Sequence, residues 1–317
     1  MKITILSIFL IVFFFSLPGI SAQEETQVQI EKIIAQQGPI NFDVSILLIN
    51  VGTIDKNQGS YELDFWYTII SEDIDFTKIP PPEIDFTNGI IEERSSQFTE
   101  EHYYEERIRG KFFGEMDFRN FPFETIVLDV ELEPVRPWTI SHGVFNVDPD
   151  SGIDYTANVP GWILEKSNFE VVNHSYEDEE ETYSRFMANF TVERSSVSSF
   201  LKSLLPVLLI TGLSISIFWV PENFTPRIYL TAPLLLALIY FHQNALNTIP
   251  PLGYMTLFDK IMIIVYSLLG NSILAIVVQM RLQTKYNDKK KTEKANSIMR
   301  YFLPIIIAIG VVGILLT

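Results

Sequence analysis

The chain has no cysteine among its 317 residues. That excludes disulfides, thiolate metal sites and cysteine nucleophiles together. Basic residues are scarce where acids abound: residues 23–200 carry 35 Asp and Glu against 12 Lys and Arg, whereas residues 201–317 carry 4 acids and 10 bases. An N-terminal part this acidic repels nucleic acid and gathers cations, so no nucleic-acid partner is expected. A glycine-rich phosphate loop and a histidine cluster with zinc spacing are also missing. Without them the chain does not read as an enzyme, and neither a catalytic residue nor a cofactor is assigned.

The apolar residues, 47% of the chain, are segregated. Residues 1–22 hold Lys2, an apolar run and then small residues, which predicts a signal peptide removed after Ala22; a first membrane helix is the rival reading. Residues 23–38 suit a short leading helix or strand. From residue 40 the period becomes two. Phe42, Val44, Ile46 and Leu48 alternate, as do Tyr61, Leu63, Phe65 and Tyr67, and the turn-rich stretch 55–59 between them predicts a hairpin. Further strands are expected at 97–104, 106–113, 125–132, 162–173 and 183–192. Short strands with frequent turn signals predict an antiparallel, immunoglobulin-like β-sandwich over residues 23–198.

From residue 199 the composition becomes that of a membrane domain, with helices expected at 201–219, 228–247, 257–280 and 301–317 and a basic cytoplasmic loop at 281–300. An exported N-terminal domain and the positive-inside rule agree on orientation: the sandwich and the C-terminus lie outside the cell (plasma or inner) membrane, with the bilayer as a partner. The second of these helices carries Tyr229, Pro233, Leu236, Tyr240, Gln243 and Asn247 on one stripe. Polar groups within hydrocarbon face a wet path or another helix. Pore lining and interhelical packing both satisfy this stripe.

Residues 116–133, MDFRNFPFETIVLDVELE, resemble the signature of pentameric ligand-gated ion channels, the Cys-loop receptor superfamily, in its prokaryotic, cysteine-free form. The aromatic-Pro-Phe-acid core reads Phe121-Pro122-Phe123-Glu124, with Glu where the family pattern has Asp. Gly161 to Glu165, Arg194 twelve residues before Pro206, Phe218-Trp219, and Pro250 to Thr256 are similar to the family's later motifs.

The resemblance implies a homopentamer, each subunit a β-sandwich followed by a four-helix bundle, with the second helices lining a pore for permeating ions. It implies a gate at Leu236 and at Tyr240, a narrowing at Tyr229, and a kink or widening at Pro233. It implies coupling through Arg194, Glu124 and an acid of the first hairpin, placed at Asp55, with Asp117, Arg119, Pro122 and Pro250 nearby. It implies a small extracellular ligand at Tyr176, Tyr183, Trp138 and Tyr67, where aromatics and carboxylates suit an amine. Protons are the other signal, through carboxylates and His102, His142, His174 and His242. The acidic tip at Glu177, Asp178 and Glu179 suggests Ca²⁺ modulation.

Selectivity is expected to lean to cations because of the acidic sandwich, with Glu222 at the inner mouth. The sequence Thr225-Pro226-Arg227 motivates the anion-selective alternative. Tyr229, Pro233 and Tyr240 motivate another, a non-conducting pentameric sensor on the same scaffold.

Overall fold

The inward side chains of the first hairpin set the core. Phe42, Val44, Ile46 and Leu48 of β1 (Ile40–Asp55) are buried, and so are Tyr61, Leu63, Phe65 and Tyr67 of β2 (Ser60–Ile70). Alternate side chains of a strand share one face, so a single parity sends both rows inward. In the computed structural model, which describes residues 18–176, 181–220, 224–286 and 289–315, these rows meet a second sheet.

The first sheet is ordered β4 (Gly89–Thr99), β5 (Tyr103–Phe113), β2, β1, β7 (Gly143–Val147), with β8 (Gly152–Ile153) also on β1. The second is ordered β3 (Ile84–Phe86), β6 (Thr125–Pro134), β10 (Thr182–Arg194), β9 (Trp162–Ser175). The sandwich is not wholly antiparallel, because β7 and β8 both run parallel to β1. The segment between β6 and β9 returns to the far edge of the first sheet instead of forming a hairpin. The strand expected at 97–104 also needs correction. Residues 100–102 form the β4–β5 turn, closed by Glu100 N–H donating to Tyr103 O at 2.8 Å.

A helix, α1 (Pro18–Gln37), precedes the sandwich. The helical part follows β10 directly: α2 (Ser196–Ser199), a π-helical turn Phe200–Leu204, α3 (Leu205–Ser216) and a 3₁₀ turn Ile217–Trp219. Then come α4 (Phe224–Leu246), α5 (Leu257–Tyr286) and α6 (Lys289–Leu315). Among the described residues two helical stretches, Ser196–Trp219 and Leu257–Lys285, are long and apolar enough to cross a membrane. Four were expected. α4 and α6 lie at the places of the other two.

The described residues of the basic stretch 281–300, expected as a loop, are helical. α5 continues to Tyr286 and α6 begins at Lys289. Lys, Glu, Ala and Arg favour helix, so a change to polar composition marks no helix end.

Candidate functional site

Residues 116–124 join the sandwich to the helices. Leu257 N–H donates to Arg119 O at 2.7 Å, Phe258 N–H donates to Phe121 O at 3.1 Å, and Phe118 N–H donates to the Tyr254 hydroxyl at 3.0 Å. The first N–H groups of any helix lack acceptors within it. Here two of those on α5 find them on a loop of the sandwich. Phe121 and Phe258 meet edge to face at 5.7 Å, and Phe121 and Pro122, both buried, seat the loop.

Thr256 and Asp259 form a capping box: Thr256 N–H and Oγ1–H donate to Asp259 Oδ2 at 2.9 and 2.8 Å, and Asp259 N–H returns to Thr256 Oγ1 at 3.1 Å. Beside this cap Pro250, Asn247, Tyr254, Asp259 and Asn57 line a cleft of about 550 Å³.

Glu124 anchors the other end of the loop, with its side chain wholly buried. Arg194 Nη1 donates to Glu124 Oε1 at 3.1 Å, and Arg194 N–H donates to the Glu124 backbone carbonyl at 3.2 Å. The hairpin partner is Lys56, whose Nζ also donates to Glu124 Oε1. Among the described contacts Asp55, expected in that place, does not reach Glu124. Its carboxylate accepts from Asn57 and Gln58 N–H and shapes its own turn. Burial lowers the pKa of Lys56 below its ordinary value, even though Glu124 acts to raise it. Asp117 and Arg119 pair at the surface, 3.8 Å apart, and Arg119 lies over the Tyr254 ring. Neither has a bond to Glu124 among those described.

α4 presents two faces. Leu238 and Thr231 are buried on one, and Leu234, Leu235, Phe241 and Ala245 are half-buried there. The whole stripe Tyr229, Pro233, Leu236, Tyr240, Gln243 and Asn247 is exposed on the other, with Tyr229 at 75%, Leu236 at 68% and Tyr240 at 76%. His242 does not sit with the stripe. Its ring lies 3.3 Å from Asp259 Oδ1 and 3.2 Å from the Tyr266 hydroxyl, between α4 and α5. Arg227 is fully buried and donates to Gln279 and Asn296 side-chain oxygens at 2.8 and 2.9 Å. Its guanidinium points into the bundle, away from the stripe. Glu222 lies outside the described residues.

Two of the four aromatics assigned to a ligand lie in the core. Trp138 is a core residue, edge-on to Phe42 at 5.3 Å, and Tyr67 is buried between the sheets. Tyr67 shares parity with Leu63 and Phe65, which already destined it for the core. Tyr176 and Tyr183 do meet, at 6.1 Å. Tyr176 donates to Glu133 Oε2 at 2.8 Å, and Tyr183 donates to Glu181 at 2.7 Å.

Beneath Tyr176 lies a network the sequence reading missed: Arg185 donates to Glu133 and Glu131 at 2.6 and 2.8 Å, with His174 2.9 Å from Glu133. Same-face spacing of Glu131 and Glu133 on β6 was the available signal. The acidic tip at Glu177, Asp178 and Glu179 lies outside the described residues. His102 Nδ1 sits 2.7 and 2.9 Å from the Ser71 and Ile74 carbonyls, and the Ser71 bond above all raises its pKa. His142 lies 3.0 Å from Thr139 and Ser141 hydroxyls.

No protein-family model matches the chain. Among curated proteins it is 25% identical over 183 residues to a proton-gated ion channel of Gloeobacter violaceus. It is similar to an ion channel. The match covers 57% of this chain and 50% of that protein, so the chain spans about half the length of the curated relative it matches.

Proposed function

We propose that the chain is the subunit of a pentameric, cation-conducting ligand-gated channel, opened by a signal acting on the β-sandwich. The observation that carries this reading is the exposed stripe on α4. Tyr229, Leu236 and Tyr240 are large side chains left outside their own protomer's packing, on the face opposite Leu238 and Thr231. Five copies turned inward would give a path narrowed at Tyr229, closed at Leu236 by dewetting, and narrowed again at Tyr240. Gln243 and Asn247 would form its polar outer mouth. Four spans per subunit, with the sandwich outside, suit this arrangement.

Protons are the favoured signal. The similar protein is named as proton-gated. On the sandwich, burial and then the nearby Glu131 charge raise the pKa of Asp129 above its ordinary value. The amine reading is weaker, since Trp138 and Tyr67 are core residues. Cations are favoured by the acidic sandwich and by the burial of Arg227.

The test is current from purified protein in planar bilayers, scanned in pH and in asymmetric salt, with Leu236→Ala beside the wild type. Larger or leakier current from Leu236→Ala is expected. Equal currents from both proteins would remove Leu236 as the gate. The bulk of Tyr229 and Tyr240 supports a second reading, a non-conducting sensor. On that reading wild type is silent, and Tyr229→Ser with Tyr240→Ser creates current.

A further inference from the structure

Three aromatic rings surround the tip of one lysine. Lys56 Nζ lies 5.9 Å from the centroid of Phe118, 5.7 Å from that of Phe121 and 5.2 Å from that of Trp162. Phe118 and Phe121 belong to the loop that docks on α5, and Trp162 opens β9. The Glu124 carboxylate closes the box. Ring faces plus a carboxylate are the chemistry that recognises an alkylammonium.

The carboxylate is shared unevenly. Lys56 and Arg194 both donate to Oε1, while Oε2 is buried with no hydrogen-bond partner among the described residues. Arg194 also faces the same indole, 5.9 Å from its centroid. A guanidinium can grip both oxygens of a carboxylate at once, and here it grips one. Desolvation, together with the Arg194 charge, outweighs the Glu124 contact and lowers the Lys56 pKa, so burial in the box opposes the charged form.

We propose that Lys56 is an intramolecular ligand of a small-ammonium box formed by Phe118, Phe121, Trp162 and Glu124, and a positioning residue that divides Glu124 between the β1–β2 turn and Arg194. With Lys56 inserted, the turn holds the docking loop. With Lys56 withdrawn, Arg194 takes both oxygens of Glu124, and the turn is released from the loop that caps α5. Arg194 lies two residues before α2, so the exchange reaches the helical part at two places. The positioning half rests on the channel reading; the box half does not.

The experiment uses the full chain purified in detergent. Lys56→Ala removes the atoms of a propylammonium group, so n-propylammonium is the probe and n-propanol its uncharged control. A saturable change in tryptophan emission is expected for Lys56→Ala with n-propylammonium, and none for wild type or for Lys56→Ala with Trp162→Phe. No change in Lys56→Ala, or an equal change with n-propanol, overturns the box.

Lys56→Met keeps the length and drops the charge, and serves where the alanine variant fails to fold. It is expected to match or exceed wild-type Tm while its current needs about a tenfold stronger stimulus. A lower Tm overturns the argument that burial in the box opposes the charged form. Wild-type currents from Lys56→Met overturn the positioning role. Silence from every protein, wild type included, counts against the channel reading alone, and the emission and Tm arms still judge the box.

Discussion

His242 Nε2 lies 3.3 Å from Asp259 Oδ1, while the other oxygen of the same carboxylate closes the capping box with Thr256. One side chain thus ties α4 to the cap of α5, and the first N–H groups of α5 are in turn bonded to the docking loop. Hydrogen bonds lead from Glu124's loop to the helix that bears the exposed stripe. Removing the carboxylate with Asp259→Ala should cost about 2 kcal/mol, the scale of hydrogen bonds to a charged group. His242→Ala and the double variant complete a cycle read by thermal unfolding in detergent. A coupling of at least ~0.5 kcal/mol is expected, and strictly additive losses would mean the two side chains act independently.

Glu124 and Asp117 are both acids of the docking segment, yet they should behave very differently. Glu124 is wholly buried between Lys56 and Arg194, so Glu124→Ala strands buried positive charge and should cost about 3–5 kcal/mol. Asp117 pairs with Arg119 in the open, and Asp117→Ala should cost at most about 1 kcal/mol. Denaturation of the two variants side by side decides this; equal losses would contradict the assigned burial.

Asp129 should make part of the stability depend on pH in the sense opposite to an ordinary surface acid. Burial and then Glu131 raise its folded pKa above its unfolded one. Its contribution is therefore fully present below the unfolded value of 3.8 and is lost as pH rises through the raised folded pKa. Asp129→Asn, which mimics the protonated side chain in charge, should be more stable than wild type at pH ~7, with the gap closing on acidification. A Tm difference that stays constant over this range would contradict the raised pKa of Asp129.

Much of the sandwich was legible because its strands obey a period of two. Phe42 to Leu48 and Tyr61 to Tyr67 fall where alternation puts them. The same rule, applied consistently, would have withdrawn Tyr67 from the ligand assignment. The stripe on α4 was legible for the analogous reason, since 3.6-residue periodicity fixes which side chains share a face, and every one of the six is exposed. Contacts between distant segments were legible only through the resemblance, which paired Arg194 with Glu124. Nothing local to the turn tells whether Asp55 or its neighbour Lys56 reaches Glu124, because hairpin twist decides which side chain points at the loop. Helix ends in the basic stretch were hidden too, since polarity reports solvent contact while α5 and α6 both extend into it on good helix formers.

Arg227 separates two accounts of ion selectivity. At the start of α4 its position alone would let it guard the inner mouth, and a ring of such charges would favour anions. Its guanidinium instead lies within the bundle, bonded to Gln279 of α5 and Asn296 of α6 and 5.8 Å from the centroid of Phe218. Arg227→Met should therefore cost about 2–4 kcal/mol by leaving those amides unsatisfied, and it should leave the sign of the reversal potential in asymmetric salt unchanged. Lost stability with an unchanged sign assigns Arg227 to bundle packing. A reversal potential that moves toward cations would return it to the permeation path and revive the anion-selective reading of residues 225–227.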